Sequence, residues 1–287
     1  MTIATDTTYR IKGGRVGVLL LHGLCGTPVE MRYVAHGLAR AGFTVHCPLI
    51  AGHGGTQTDI KASTWQDWLA SAEAALEELG QECDVVICSG LSTGALLSLM
   101  LAAKHPDKVH GIAPLAPTLW LNGWLIPWYA RLFRLVRQTW VADLISFPDI
   151  EPHGIKDDRI RGFIRKALAS GDCSVAGLPV TPGRAVLEHH RLVRALKKML
   201  SSIKQPAMII HPREDDYADL NNAWYLQRNL KGRVDMVVLD DSYHIVTVDR
   251  QRHVVVERMV GFVTRLAEQV SGQHPKAAMQ SIDAAVA

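Results

Sequence analysis

Gly90-Leu91-Ser92-Thr93-Gly94 places a serine between two glycines, directly after the predicted buried strand 84–89. A tight turn from a strand into a helix holds such a serine in a strained conformation, and the flanking glycines avoid side-chain clashes. The hydroxyl of Ser92 then stands at the carboxyl end of a sheet, where the N-terminus of the next helix favours negative charge. The spacing therefore predicts a nucleophilic serine that forms an acyl-enzyme.

A serine hydroxyl is a weak nucleophile near neutral pH and needs a base. In enzymes with this turn, an acid and then a histidine follow along the chain, each on a loop after a later strand. His244 lies after the predicted strand 235–239 and before the last predicted helix, so we predict that it is the general base. His189 and His190 lie inside a long helical segment and are interpreted as surface residues.

Three adjacent carboxylates, Glu214, Asp215 and Asp216, follow the predicted strand 207–211. Only one of them is expected to face the histidine, because neighbouring side chains point in different directions. We favour Asp215 and keep Asp216 as the alternative. The remaining two are interpreted as solvated loop carboxylates or as a helix N-cap.

Acyl transfer also needs two backbone N–H groups aimed at the developing oxyanion. Thr93, just after the nucleophile, is predicted to supply one donor. Leu24, in the loop after an early strand, is predicted to supply the other, since Gly23 permits close approach of the backbone. His22 is interpreted as a hydrogen-bonding brace of this loop.

The elements that must hold these residues alternate between strand-like and helical patterns on both sides of a long middle segment. The predicted strands are 16–21, 44–48, 84–89, 109–115, 207–211 and 235–239, and the predicted helices are 29–41, 66–79, 95–104, 220–229 and 252–270. Such alternation predicts an α/β fold with a mostly parallel sheet flanked by helices. We assign 1–116 and 205–270 to this core, 117–204 to a helical cap, and 271–287 to a disordered tail.

Composition and charge exclude several classes of protein. With 48% apolar and 21% charged residues the chain is not intrinsically disordered, and its net charge of +3 does not indicate nucleic-acid binding. The sequence contains no run of about 20 apolar residues, so it does not predict an integral membrane protein. The five cysteines lack metal-site spacing and are interpreted as reduced thiols in a cytoplasm.

The cap is rich in tryptophan and positive charge. Trp120, Trp124 and Trp128 recur every four residues, which predicts one helical face where a helix persists. This face has three interpretations: packing against the core, a wall of an acyl-chain pocket, or transient contact with a lipid surface. Residues 118–204 carry 14 Lys and Arg against 7 Asp and Glu, a net of +7, while the remainder carries −4. A basic cap is compatible with anionic lipid or acidic substrates, although a solvated helix face is the simpler interpretation.

The chain resembles the α/β-hydrolase superfamily, and most of all the bacterial carboxylesterases of the monoacylglycerol-lipase-like group. The matching segments are LLLHGLCGTP, PLIAGHGG, GLSTG, HPREDD and DSYH, and the similarity extends over about residues 15–270. The resemblance implies that Ser92 is the nucleophile, Asp215 the acid and His244 the base. It also implies that Leu24 and Thr93 are the oxyanion donors.

Two further positions bear on this resemblance. The turn Gly52-His53-Gly54 resembles one that shapes the edge of the site in that group. Thr93 departs from the group, where small or bulky apolar residues are common, but the substitution leaves its backbone donor intact.

The implied function is hydrolysis of carboxylic esters with short to medium acyl chains, monoacylglycerols included. This two-step acyl transfer needs a small-molecule ester and no metal or cofactor. The first alternative is the same three residues acting on lactone, thioester, amide or carbon–carbon bonds. The second is a non-catalytic binding protein built on the same fold.

Overall fold

The computed structural model describes residues 7–170 and 177–271. Cys173 and the predicted tail, apart from residue 271, lie outside the described residues. Within them, no helix is long and apolar enough to cross a membrane.

The strands described form one large sheet and one small ladder. In chain order they are β1 Tyr9–Ile11, β2 Val16–Leu21, β3 Thr44–Cys47, β4 Val85–Leu91, β5 Gly111–Leu115, β6 Ser146–Pro148, β7 Val180–Pro182, β8 Ala207–Pro212 and β9 Val234–Leu239. The large sheet has the order β1-β3-β2-β4-β5-β8-β9 and is parallel except for β1, which runs antiparallel to β3. In the register of β2 and β4, Leu21 lies opposite Gly90, so the loops after these two strands are neighbours.

Helices cover both faces of the sheet. They are α1 Arg32–Arg40, α2 Gln57–Ala62, α3 Trp65–Glu82, α4 Thr93–Lys104, α5 Thr139–Asp143, α6 Asp158–Ser170, α7 Gly183–Lys197, α8 Asn221–Asn229 and α9 Arg252–Ser271, with 3₁₀ turns at Pro28–Met31, Trp128–Leu135 and Leu200–Ser202. This arrangement confirms the predicted fold class, an α/β fold with a mostly parallel sheet flanked by helices.

Strand β2 is apolar throughout and does not alternate apolar with polar residues. Leu19 and Leu21 pack into the core beneath α3 and α4, whereas Val18 and Leu20 pack into a second core with α1 and α9. Side chains of a strand point to opposite faces in turn, and both faces of this sheet are covered. The strand must therefore be apolar at every position.

The start of α3 is encoded locally. The side chain of Thr64 accepts from the backbone of Asp67, and the Asp67 carboxylate accepts from the Thr64 N–H at 2.8 Å, forming a capping box. Such a cap contributes about 0.5–2 kcal/mol to stability. The predicted helix 66–79 is confirmed, although it begins one residue earlier and ends three residues later than predicted.

The segment between β5 and β8 is less helical than its sequence pattern predicts. It contains the antiparallel β6–β7 ladder and a 3₁₀ turn as well as three α-helices. All seven strands of the large sheet lie outside it, and we propose that 117–204 is a cap on the catalytic core.

The prediction that Trp120, Trp124 and Trp128 share one helical face is wrong. No helix spans the stretch before the 3₁₀ turn that begins at Trp128. Instead, the N–H of Gly123 donates to Tyr217 O at 2.9 Å, and a Cβ at Gly123 would lie 2.4 Å from the backbone of Asp216. Contact with this core loop holds the stretch in an irregular path.

Candidate active site

Ser92 occupies the sharp turn between β4 and α4. Its φ of 56° and ψ of −112° are unfavourable for any residue with a side chain, and such strain concentrates at functional sites. The flanking glycines are required by close packing, because a Cβ at Gly90 would lie 2.4 Å from the backbone of Gly94. A Cβ at Gly94 would lie 2.2 Å from Leu21 O.

The hydroxyl of Ser92 has a partner that the sequence analysis missed. Its Oγ lies 3.1 Å from Thr118 Oγ1, and Thr118 in turn donates to Ala116 O at 3.2 Å. Because a threonine hydroxyl has a single hydrogen, Ser92 is the donor in the first bond. Ala116 also has a positive φ of 42°, so a second strained turn at the end of β5 positions Thr118. No residue pattern in the sequence marks this threonine.

The imidazole of His244 contacts one carboxylate directly. Its Nδ1 lies 2.9 and 3.0 Å from the two carboxylate oxygens of Asp215, and both side chains are buried. Asp215 is held by the N–H groups of Tyr217 and Ala218 at 2.9 and 2.7 Å. This pairing fixes the tautomer of His244 with Nδ1 protonated, which leaves Nε2 free to accept a proton.

The other two carboxylates of the loop have different surroundings. Asp216 accepts from the backbone N–H of His244 at 3.1 Å and of Gly154 at 3.0 Å, so it joins the histidine loop to the cap. Glu214 forms an ion pair with Lys156 at 2.6 Å on the surface. Of the three candidates, only Asp215 reaches the imidazole.

The charges around His244 favour its protonated form. Burial acts to lower the pKa of His244, but the charges of Asp215, Asp216 and Glu30 outweigh it and raise the pKa above its ordinary value. For Asp215, burial acts to raise the pKa, but the facing imidazole, the nearby His211 and the bond from the N–H of Ala218 together outweigh it and lower the pKa. This pair is therefore built to stabilise an imidazolium.

The loop after β2 lies beside the nucleophile. A Cβ at Gly23 would be 3.6 Å from the Cβ of Ser92, and Leu24 and Thr93 both line the cavity above the serine. No acceptor among residues 7–170 and 177–271 engages the backbone N–H of Leu24. The two predicted oxyanion donors thus lie on adjoining segments at Ser92, and their role stays a prediction.

Glu30 supports this loop and was not predicted. Its carboxylate accepts a short hydrogen bond from the N–H of Gly23, and it lies against Gly26, where a Cβ would be 2.5 Å from Oε2. Burial raises the pKa of Glu30 to about 7, although the bond from Gly23 and the charge of His244 oppose this shift.

His22 braces the same loop, as its sequence context predicts. The N–H of Ile50 donates to Nε2 at 3.1 Å, so the proton is on Nδ1, which donates to Gly23 O at 2.9 Å. His53 packs edge-on against His22, with ring centroids 4.9 Å apart. The Gly52-His53-Gly54 turn therefore supports the bracing histidine and is absent from the described cavity lining.

The interpretation of His189 and His190 as surface residues is wrong. His189 is buried, and its Nδ1 lies 2.9 Å from Thr93 Oγ1, while both histidines line the cavity. Burial and the neighbouring His190 lower the pKa of His189 to about 3, so it is neutral. Ala185, Leu192 and Leu196 are buried on α7 with helical spacing to His189, and this periodicity is the signal that was missed.

A cavity of about 1280 Å³ extends from Ser92 and His244 into the cap. Trp120 lines it, packed edge-on against Tyr225. Trp124 and Trp128 are exposed and are not among its described lining residues, and their predicted contact with substrate stays a prediction. The indole N–H of Trp124 instead donates to Glu214 O at 3.1 Å. Both residues lie outside because the stretch that carries them is not helical.

Comparison with known proteins gives a consistent result. A family model described as "Serine aminopeptidase, S33" matches residues 14–251. The thermostable monoacylglycerol lipase of Bacillus sp. (strain H-257) is 31% identical over 90% of this chain and 94% of its own length. The carboxylesterase of Bacillus subtilis (strain 168) is 22% identical over 93% of this chain and 99% of its own. A solved structure of the metagenome-derived lipolytic enzymes LipS and LipT superposes with a TM-score of 0.73 at 31% identity, covering 90% of this chain and 97% of that chain.

Proposed function

Because the chain belongs to the α/β-hydrolase family of that model, we propose that it is a serine hydrolase that cleaves carboxylic esters through an acyl-enzyme on Ser92. The observation that carries this proposal is the buried His244–Asp215 pair, with Nδ1 2.9 Å from the carboxylate, which shares one cavity with the strained Ser92. The names of the relatives, lipase and carboxylesterase, support esters as the substrates.

The proposed reaction proceeds in two steps. Nε2 of His244 takes the proton of Ser92 as Oγ attacks the ester carbonyl, and Asp215 stabilises the imidazolium. The backbone N–H groups of Leu24 and Thr93 bind the oxyanion. The imidazolium then gives its proton to the departing alcohol, and a water molecule, deprotonated by His244, hydrolyses the acyl-enzyme.

The hydroxyl of Ser92 must break its hydrogen bond to Thr118 before it gives its proton to His244. The bond of its hydroxyl to Thr118 orients Oγ in the free protein, whereas general-base catalysis requires the same proton to point at His244. Hydrogen bonds in free enzymes often realign when substrate binds. Thr118 is therefore a resting partner of the nucleophile.

For the substrate, we propose esters of short to medium acyl chains, including monoacylglycerols, and a role in lipid metabolism. The support is the name of the monoacylglycerol lipase relative and the apolar side chains that line the cavity, such as Leu125, Ile126 and Val193. A series of 4-nitrophenyl esters from acetate to palmitate tests the chain length. Fastest turnover of the palmitate ester would contradict the proposed preference for short to medium acyl chains.

Amide hydrolysis is the second candidate, because the family model is described as a serine aminopeptidase. The same three residues serve both reactions, but an amine leaves only after protonation by the imidazolium. Matched ester and amide substrates with the same acyl group separate the two. We expect kcat/KM to favour the ester, and the reverse order would assign the peptidase activity.

A fluorophosphonate probe tests the nucleophile directly. We expect the wild-type protein to be labelled and Ser92→Ala to be unlabelled, while Ser201→Ala, at an exposed serine, is labelled normally. Asp215→Asn is expected to lower kcat by up to about 10⁴-fold, because it removes the carboxylate that holds the tautomer of His244. Unlabelled wild-type protein would leave the non-catalytic binding protein as the better interpretation.

We also propose that the cap makes peripheral contact with a lipid surface. Nine of the twelve exposed large apolar side chains among the described residues belong to 117–204, and Trp128 is 73% and Leu144 78% exposed. Exposed aromatic and aliphatic side chains with nearby arginines are typical of segments that lie on membranes. Trp128→Ala is expected to reduce co-sedimentation with anionic vesicles, whereas Trp224→Ala, an exposed tryptophan of α8, is not. Equal losses of vesicle binding in the two variants would argue against lipid contact through the cap.

The location that we propose is the cytoplasm. Its support is that Cys25, Cys47, Cys83 and Cys88, the four cysteines within the described residues, are free thiols. Free thiols persist in reducing compartments. Fractionation of cells into cytoplasmic and extracytoplasmic protein measures the location.

A further inference from the structure

The cavity carries positive charge that the protein does not neutralise. Five basic side chains line it, and within 7–170 and 177–271 no carboxylate lies within ion-pair distance of any of them. They are Arg131, Arg134, Arg137, Arg194 and Lys197. The first three are exposed near the 3₁₀ turn of the cap, and the other two lie on α7.

The other cations of the cap are of two kinds, since Lys198 and Lys204 are exposed without an ion pair among the described residues and others are paired. Five that do not line the cavity form ion pairs with carboxylates: Lys156, Arg161, Arg165, Arg184 and Arg191. The two carboxylates that do line the cavity are engaged elsewhere. Glu30 accepts from the N–H of Gly23, and Asp149 accepts from Tyr217 at 2.9 Å and pairs with His153. The positive charge of Arg194 and Lys197 therefore stays available to a ligand.

Helix α7 relates these cations to the nucleophile. His189, Val193 and Lys197 lie four residues apart on the helix face that lines the cavity. His189 contacts Thr93, next to the serine, at 2.9 Å. With a rise of about 1.5 Å per residue, Lys197 lies roughly 12 Å farther along the helix axis. The backbone positions of His189 and Lys197 are thus offset by about the length of a medium acyl chain.

The surroundings of Lys197 make an anionic ligand favourable. Its ammonium group lies 4.0 Å from the ring centroid of Trp120 and 5.1 Å from that of Tyr225, and the side chain is half-buried. Burial lowers the pKa of Lys197, the direction expected for a cation with little water and no counter-ion. Aromatic faces stabilise a cation only modestly, so a bound anion would add to this stabilisation.

We propose that Lys197 and Arg194 form a subsite for an anionic group at the far end of the substrate, so that the preferred esters carry a terminal carboxylate or phosphate. This rests on the proposed ester hydrolysis, since the subsite is defined relative to the carbonyl at Ser92. Trp120 forms the floor of the subsite, and the apolar face of α7 between His189 and Lys197 contacts the chain that joins the two ends.

Pairs of substrates with and without the terminal charge test the subsite. Monomethyl sebacate, whose extended chain spans roughly 11 Å, is compared with methyl decanoate. In a second arm, the decanoyl monoester of glycerol 3-phosphate is compared with monodecanoylglycerol. The first arm places the anion on the acyl side and the second on the alcohol side. We expect at least one arm to favour the charged ester about tenfold in kcat/KM, and the arm that does so identifies the source of the anion.

Variants then assign the preference to the subsite. Lys197→Gln is expected to reduce the ratio of charged to neutral ester about tenfold, and Arg194→Gln to reduce it less because its side chain is exposed. Lys198→Gln is the matched control, since Lys198 is an exposed neighbour outside the cavity lining. Hydrolysis of neutral esters by all variants would show that the catalytic machinery is intact.

Two outcomes overturn different statements. Equal rates for charged and neutral esters in the wild-type protein, or a ratio that Lys197→Gln leaves unchanged, would overturn the subsite while ester hydrolysis stands. If the wild-type protein hydrolysed none of these esters and Ser92 were not labelled by the fluorophosphonate, the proposed function itself would be overturned.

Discussion

Glu30 brings a carboxylate into the wall of the cavity beside the loop that carries Leu24. It accepts from the N–H of Gly23, and its charge is one of those that raise the pKa of His244. These two effects separate by substitution, because glutamine keeps an oxygen acceptor and loses the charge.

We predict that Glu30→Gln moves the acidic limb of the pH profile of kcat/KM to lower pH. His244 acts as a base only when neutral, and removal of a nearby negative charge lowers its pKa. Because Glu30, with a pKa of about 7, carries its charge mainly above that pH, the variant is expected to keep a larger fraction of its maximal activity near and just above pH 7 than the wild-type protein does. Stopped assays with a chromogenic ester over pH 5–9 measure the profile.

Glu30→Leu is the companion variant. It leaves the N–H of Gly23 without an acceptor, and an unpaired buried donor costs about 1–3 kcal/mol. We expect kcat/KM to fall about tenfold or more across the pH range. An unchanged acidic limb in the pH profile of Glu30→Gln, or full activity of Glu30→Leu, would contradict this role of Glu30.

The residues that sequence patterns indicate differ in how they are encoded from those that only the structure reveals. Ser92, Asp215 and His244 could be predicted because residue type, strand ends and chain order all point to them. Thr118 and His189 act through contacts between segments far apart in the chain, and these depend on how the cap sits on the core. Asp216 was weighed as the alternative acid, but its bonds to His244 and Gly154 are backbone contacts that no side-chain pattern reveals.

At the scale of elements, one buried side chain of α8 makes several hydrogen bonds to the start of the cap. The carbonyl oxygen of Asn222 accepts from the N–H groups of Leu119 and Trp120, both at 2.8 Å, and its amide donates to Asn122 at 2.9 Å. Asn222 has no exposed surface. A fourth bond, from the amide to Asp219 O at 2.9 Å, stays within the core, so three of the four hydrogen bonds of this side chain depend on the cap keeping its place.

We predict that Asn222→Ala lowers the free energy of unfolding by about 2–5 kcal/mol, because two buried N–H groups lose their acceptor. Urea denaturation followed by circular dichroism measures it. Asn221→Ala is the control: it removes an exposed amide one residue away, and we expect a change within about 0.5 kcal/mol. A loss of the same size in both variants would mean that helix α8 itself, and not the attachment of the cap, is affected.

The elements of the core could be predicted more fully than those of the cap. The buried strands β2 and β4 could be predicted, since burial on both faces leaves a nearly continuous apolar run. Strand β1, of three residues, and helix α2, of six, are too short for periodicity to reveal. In the cap, proline and glycine interrupt the tryptophan spacing, and the chain follows contacts to the loop of Asp216 and Tyr217 instead.

At the scale of the whole molecule, the modest net charge of +3 conceals an uneven distribution. Residues 118–204 carry a net of +7 and the remainder −4, and the cap also holds most of the exposed apolar side chains. A molecule with this asymmetry would orient with its cap toward an anionic surface, which would bring the cavity entrance to the lipid.

We therefore predict that salt affects turnover at a surface and not turnover in solution. With monoacylglycerol in vesicles containing anionic lipid, activity is expected to fall steeply between 50 and 500 mM NaCl, because the screening length shortens from about 14 to about 4 Å. Turnover of soluble 4-nitrophenyl butyrate is expected to change little. Neutral vesicles provide the comparison. If activity on neutral vesicles depended on salt as strongly as activity on anionic vesicles, an electrostatic contact would be contradicted.

The double variant Arg134→Gln/Arg137→Gln tests which charges act. Both side chains are exposed beside Trp128 and Leu135, and each basic residue near an anionic surface contributes about 1 kcal/mol to binding. The variant is expected to bind anionic vesicles roughly 30-fold more weakly, which is about 2 kcal/mol, and to lose much of its salt dependence. Arg228→Gln, an exposed arginine of α8 outside the cap, should bind as the wild-type protein does. If Arg228→Gln weakened binding as much as the double variant, the contact would follow net charge and not the orientation of the cap.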